Sequence, residues 1–312
     1  MHTSQRVAVG VEIAANGATL ALVDRCGHVL QRCQTKTLRG RPATATLEPY
    51  LRAIDVLLSY ASTEGFHVSG VGVCIPGSLD ETARRPLFVS ALPSLNGFPL
   101  CEFLEARYHL PVTLHVDVDA ALLGEQRFGA GKGCRRLLFL TVSAVVGAAL
   151  VIDGKLEPST QQYVGHICHM LVSTNGPRCS CGKRGCINTL ISLDAMQKMV
   201  QRALRRGEET SLTQRLLNRE YFSPQLLAEE AGRGDAVALQ VYGEISRWLS
   251  AATAKYITLF EPHILILGGD ILRSSDLLFT QVKSTLMMPT VSSVGSRIDV
   301  VPTRLGSEAA LI

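Results

Sequence analysis

No run of apolar residues in this sequence approaches the ~20 needed to cross a bilayer, and the opening MHTSQRVAVGVEIA lacks a basic stretch followed by a long apolar core. Both absences argue against a membrane-spanning or secreted protein and lead to the expectation of a cytoplasmic one with no membrane partner. A charge stripe is missing as well. The 31 Lys and Arg against 27 Asp and Glu leave a formal net charge of only +4, with the basic residues in short clusters such as Arg135-Arg136 and Arg202, Arg205 and Arg206. Phosphate backbones call for a more concentrated field, so DNA contact is not expected through this chain alone. Six of the nine cysteines (Cys26, Cys33, Cys74, Cys101, Cys134 and Cys168) show no framework spacing, and most of them read as small buried hydrophobes.

What is present is enough for a large core. At 312 residues, with 46% hydrophobic and 19% charged side chains, the chain suits two domains. VAVGVEIAANGATLALVD reads as two strands around an Asn16-Gly17 turn, and RLLFLTVSAVVGAALVIDGKL, from Arg136 on, repeats the pattern. Two related lobes follow, residues 1–120 and 121–312. The spacing predicts helices over 46–61, 193–206, 223–232 and 235–260, buried strands at VSGVGVCI, PVTLHVDVD and HILILGG, and a closing strand and helix. Alternating strands and helices of these lengths are α/β architecture.

The remaining three cysteines cluster. His169 is followed by Cys179, Cys181 and Cys186, with Gly182 and Gly185 allowing the tight turns that bring the sulfurs together. Three thiolates and one imidazole suit a tetrahedral zinc ion, and four protein ligands leave no position open for water, so such a zinc is structural. The bland alternatives are an unliganded reduced loop or a disulfide; neighbours as close as Cys179 and Cys181 are poorly placed to bridge each other. The zinc loop is expected at about 165–192.

His166-Ile167-Cys168-His169 followed by Cys179-x-Cys181-Gly-x-x-Gly-Cys186-x-Asn188 resembles the zinc signature of the ROK (repressor, open reading frame, kinase) family, usually ExGH then CxCGxxGCxE. VGVEIAANGATLALVD, VGVCIPGSLD, SLNGFPL, VDVDAALLGE, LTVSAVVGAALVIDGKL and ILILGGDI resemble further family segments in the same order. The resemblance implies a two-lobed, actin-like ATPase or hexokinase-type fold with ribonuclease H-like lobes. For the enzymes of the family it implies ATP- and Mg-dependent transfer of a phosphoryl group to a sugar hydroxyl.

Carried over residue by residue, the family pattern makes Asp117 the base that takes the hydroxyl proton, although a helix cap is the plain reading of the same residue. It makes Asn96, Gly97, His166, His169 and Asn188 candidate substrate contacts, and Gly147, Gly268 and Gly269 candidate cofactor contacts. His166 and Asn188 stand where the family has glutamates, which changes the hydrogen-bonding pattern offered to a sugar. Glu12, Ala14, Ala15, Asn16 and Gly17 stand for DxGGTK, and Ser143, Ala144, Val145, Val146 and Gly147 for Gly-Thr-Gly-Ile-Gly. Added Cβ atoms obstruct close approach to phosphate, and the phosphate-contacting hydroxyl of the first loop is gone.

Three functions stay open at this level: a catalytically silent carbohydrate or polyol sensor, an active sugar or cyclitol kinase using Asp117, and the effector part of a ROK repressor. The last normally carries a winged helix-turn-helix ahead of the kinase fold, whereas about six residues precede the first strand here. The family also implies a homodimer or higher homo-oligomer.

Overall fold

The computed structural model describes residues 5–14, 16–158, 165–288 and 298–312, with the backbone alone of residues 165 and 166. The chain splits into two compact units. One comprises Met1–Gly133, Leu156–Tyr163 and Ser307–Ile312; the other comprises Cys134–Lys155 and Val164–Gly306.

The first unit is built on a five-stranded sheet of order β3-β2-β1-β4-β7, formed by β1 (Arg6–Ile13), β2 (Gly17–Asp24), β3 (Val29–Lys36), β4 (His67–Ile75) and β7 (Val112–Val116). A short ribbon, β5 (Ser78–Leu79) with β6 (Pro86–Phe88), follows β4. β1 and β2 form an antiparallel hairpin, and β4 and β7 then run parallel to β1. Alternation in RVAVGVEI places Val7, Val9, Val11 and Ile13 in the core, as period-two patterning requires. Helices α1 (Ala43–Thr63), α2 (Leu100–Tyr108) and α3 (Asp117–Phe128) complete the unit.

The second unit repeats the plan. Its sheet has the order β10-β9-β8-β11-β12, from β8 (Leu137–Val142), β9 (Val146–Ile152), β10 (Lys155–Glu157), β11 (Ile264–Gly268) and β12 (Asp299–Pro302). Again a hairpin, β8 with β9, is extended by parallel strands. β11 reads ILILG and is buried at every position, because a central parallel strand is covered on both faces. Around the sheet lie α4 (Asn188–Ile191), α5 (Leu193–Arg205), α6 (Leu212–Leu217), α7 (Pro224–Gly232), α8 (Ala236–Phe260), α9 (Asp270–Arg273) and α10 (Asp276–Leu286). α8 starts where the Asp235 carboxylate accepts from the Ala238 N–H at 2.9 Å, and it buries Val237, Val241, Ile245, Leu249, Ala252 and Tyr256 on one face.

Two expectations need correction. After β12 the chain makes a single 3-10 turn, Gly306–Glu308, where the sequence predicts a closing helix. Of the six unpatterned cysteines only Cys74 and Cys101 are buried; Cys26 is exposed, and Cys33, Cys134 and Cys168 are half-buried. Cys26 lies in the β2–β3 turn, where its N–H donates to Asp24, so the backbone of the turn and not the thiol explains its position.

Candidate functional site

In the first unit, the parallel register sets Glu12 beside Cys74 and Cys74 beside His115, so the carboxyl ends of β1, β4 and β7 lie side by side. Asp117 follows β7 directly as the first residue of α3. Its Oδ1 accepts from the Val118 N–H at 2.8 Å, and burial raises its pKa above the usual aspartate value, with the neighbouring Asp119 adding to the effect. A carboxylate at a strand end, opening a helix and with raised proton affinity, has the chemistry of a general base.

The first hairpin loop is occupied by protein contacts. Ala14 N–H donates to the Gly17 carbonyl at 2.8 Å, Thr37 N–H to the Asn16 carbonyl at 3.3 Å, and the Arg39 guanidinium to Asn16 Oδ1 at 2.7 Å. Asn16, at the position of the family's threonine, thus has its side-chain oxygen engaged by an arginine of its own chain. Ala15 lies outside the described residues.

Asn96 and Gly97 are the central pair of a type II turn. Asn96 has φ −62° and ψ 122°, Gly97 has φ +74°, and Phe98 N–H donates to Leu95 O at 3.1 Å. Asn96 Oδ1 accepts from the Val89 N–H at 2.8 Å, so the turn itself uses part of the acceptor capacity of this side chain.

In the second unit, residues 143–145 connect β8 to β9 with no positive φ among them. Three hydrogen bonds fix this loop to its surroundings. Ser143 Oγ accepts from the Asp270 N–H at 3.0 Å, Ser143 O accepts from Leu193 N–H at 3.2 Å, and Asn188 Oδ1 accepts from Val146 N–H at 3.0 Å. Val145 stands out from the loop with 56% of its surface exposed. Where a phosphate cradle needs bare backbone N–H groups, this loop offers an isopropyl group and a backbone pinned from both sides. Gly147 lies in β9 opposite Thr141. Gly268 packs beside the Phe139 ring, and Gly269 has φ +91° with the Val142 carbonyl 2.3 Å from where a Cβ would stand.

Sequence reading misses the two contacts that close these loops, Arg39 on Asn16 and Ser143 on the Asp270 N–H. Each joins residues far apart in the chain, and neither carries a local motif.

The cysteine cluster assembles as its spacing implies. One ligand atom from each of His169, Cys179, Cys181 and Cys186 lies within 4.8 Å of the others. His169 Nδ1 is 3.5 Å from Cys179 Sγ, and Cys181 Sγ is 3.6 Å from Cys186 Sγ. A zinc tetrahedron with Zn–S about 2.3 Å and Zn–N about 2.0 Å separates sulfurs by about 3.8 Å and sulfur from nitrogen by about 3.5 Å, so the spacing fits such an ion. Gly185, at φ +70°, makes the turn possible, because a Cβ there would fall 1.6 Å from the Ser173 carbonyl. Asn188 follows Cys186 at the start of α4, so the same loop positions the hydrogen bond to Val146. The side chain of His166 lies outside the described residues.

The sequence model of the ROK family matches residues 8–312. A glucokinase of Thermotoga maritima is 28% identical over 97% of this chain and 94% of its own length. The xylose repressor of Bacillus subtilis is 24% identical over 96% of this chain and 74% of its own length. Among solved structures, a ROK family transcriptional regulator homologous to the E. coli MLC protein superposes with a TM-score of 0.87 at 22% identity, covering 98% of this chain and 76% of that one. A ROK family glucokinase from Streptomyces griseus in complex with glucose and AMPPNP gives 0.78 at 26% identity, covering 98% and 96%. Matched over nearly its whole length, with kinases and repressors alike among its relatives, the chain belongs to the ROK family.

Proposed function

We propose that this chain is a carbohydrate- or polyol-binding ROK protein that does not transfer phosphate, and that it acts as a sensor. The observation that carries the reading is Val145, exposed at the tip of a loop whose backbone is held by Ser143 and Asn188. In the family that loop meets phosphate. Loss of such contacts removes several kcal/mol of transition-state stabilisation, on the order of 10²–10³ in rate per donor. The Arg39 contact to Asn16 supports the same conclusion for the first loop.

A structural zinc held by His169, Cys179, Cys181 and Cys186 is part of this reading; with four protein ligands it orders the loop and activates no water. By the family pattern, the residues proposed for ligand contact are Asn96, Gly97, Asp117, His166, His169 and Asn188. The protein works as a homodimer or higher homo-oligomer and contacts DNA only with the help of a further segment or partner. The relatedness to the xylose repressor supports a regulatory setting, and that to Thermotoga maritima glucokinase, matched over 94% of its own length, supports the alternative of an active kinase.

Asp117 favours that second reading, because it retains the position and raised proton affinity of a base. A coupled assay for ADP release over glucose, N-acetylglucosamine, N-acetylmannosamine, xylose and inositol separates the two. The sensor reading expects no turnover above background, and turnover abolished by Asp117→Asn would establish the kinase.

A further inference from the structure

The second unit contains a cavity of about 320 Å³ that none of the four metal-ligating side chains lines. Its floor is apolar, from Leu190, Ala203, Val237 and Val241, all buried, and Met199 and Trp248 form partly buried walls. Arg202 in the last turn of α5 and Arg206, the residue that caps its carboxyl end, also line it. The acidic residues of the lining are already engaged: Glu244 accepts from Arg247 at 2.6 Å and from Trp248 Nε1 at 3.0 Å, and Glu208 lies 3.8 Å from Arg206. Arg202 forms no ion pair among the described residues. Its Nε donates to the Lys198 carbonyl at 3.2 Å, which holds the guanidinium along the helix.

A greasy floor, an aromatic wall and an uncompensated guanidinium define a complementary ligand. We propose that this cavity binds a small organic oxyanion, a carboxylate or phosphate carried on a flat apolar body, with Arg202 and Arg206 on the head group and Met199, Val241 and Trp248 against the body. The volume suits one ring and its head group and falls at the small end of ligand pockets, roughly 300–1,000 Å³. A planar guanidinium is the side chain best matched to either oxyanion.

The site is also placed to act on the rest of the unit. Ser173 and Pro177 line the cavity and are tied to the metal loop by Ser173 N–H to Gly185 O at 3.3 Å and Gly185 N–H to Pro177 O at 2.8 Å. Leu190 on its floor belongs to α4, the helix whose first residue, Asn188, holds the β8–β9 hairpin. An occupant therefore touches both the metal loop and the helix that fixes the hairpin, the position of an effector.

Trp248 is the sole tryptophan of the chain, so the emission comes from a wall of this cavity, where Arg247 stacks on the ring at 4.1 Å. Benzoate and phenyl phosphate titrated into the metal-loaded full chain should each be compared with glucose and inorganic phosphate. At least one aryl oxyanion should produce a saturable change while the two controls do not, and Arg202→Ala and Arg206→Ala should each weaken binding by about tenfold. Lys198→Ala, on the same helix but outside the cavity, should leave it unchanged. Saturation by phenyl phosphate alone or benzoate alone identifies which head group is taken. The proposal is overturned if neither aryl ligand gives a saturable change up to about 10 mM, if inorganic phosphate gives an equal response, or if saturation survives both arginine substitutions. Glucose binding measured separately by calorimetry keeps this result apart from the fate of the sensor reading.

Discussion

The Asn188 side-chain carbonyl accepts a hydrogen bond from the Val146 N–H at 3.0 Å. One residue thereby links the helix that follows the cysteine loop to the β8–β9 hairpin. Val146 is buried, so Asn188→Ala leaves its N–H without a partner. The expected loss is about 1–3 kcal/mol, the cost of an unsatisfied buried donor, read from the urea midpoint at unchanged m-value.

The cysteine and histidine cluster gives a second expectation. Purified protein should hold one zinc per chain, and Cys181→Ser, which alters the exposed thiol of the set, should lower occupancy and thermal stability together. Elemental analysis of the wild type and variant, paired with thermal melts with and without chelator, checks it. A wild type that melts identically with and without chelator would remove the structural role.

Two glycines should respond very differently to alanine. At Gly97, with φ +74°, a Cβ would meet nothing within 4 Å, so Gly97→Ala carries only the left-handed backbone penalty, about 1 kcal/mol. Gly269 at φ +91° adds a clash with the Val142 carbonyl at 2.3 Å, so Gly269→Ala should cost more than about 2 kcal/mol. Denaturant unfolding of both variants settles the ranking.

Asp117 supplies a pH test. Its folded pKa is raised by burial, so the folded state binds its proton more tightly than the unfolded state, and the buried charge lowers stability at neutral pH. Asp117→Asn should therefore be more stable than the wild type at neutral pH. That gain should shrink as pH falls through the raised folded pKa and be gone below the ordinary aspartate value of 3.8. Parallel melts across this range would show it, and a variant less stable than wild type at neutral pH would contradict it.

Much of this is legible from residue order, for physical reasons. Strong alternation in β1 and the all-apolar β11 mark their strands, and the spacing from His169 to Cys186 marks the cysteine and histidine cluster, because short-range geometry suffices to bring these side chains together. Asn96-Gly97 is a turn because the pair prefers one, and the structure uses the asparagine oxygen internally. What stays hidden depends on contacts across the chain: Ser143 with Asp270, 127 residues apart, and Arg39 with Asn16, 23 apart. The closing segment misleads because an apolar ending such as Ala-Ala-Leu-Ile has helical composition, while the chain makes only a 3-10 turn there.

We propose that this ROK chain does not hold nucleotide phosphates, and Mg-ATP calorimetry tests that most directly. The wild type should give no binding heat at micromolar to low-millimolar Mg-ATP, whereas a variant combining Ser143→Gly, Ala144→Thr and Val145→Gly, which frees the hairpin, should recover measurable affinity. Clear micromolar binding of Mg-ATP by the unaltered chain would contradict the account.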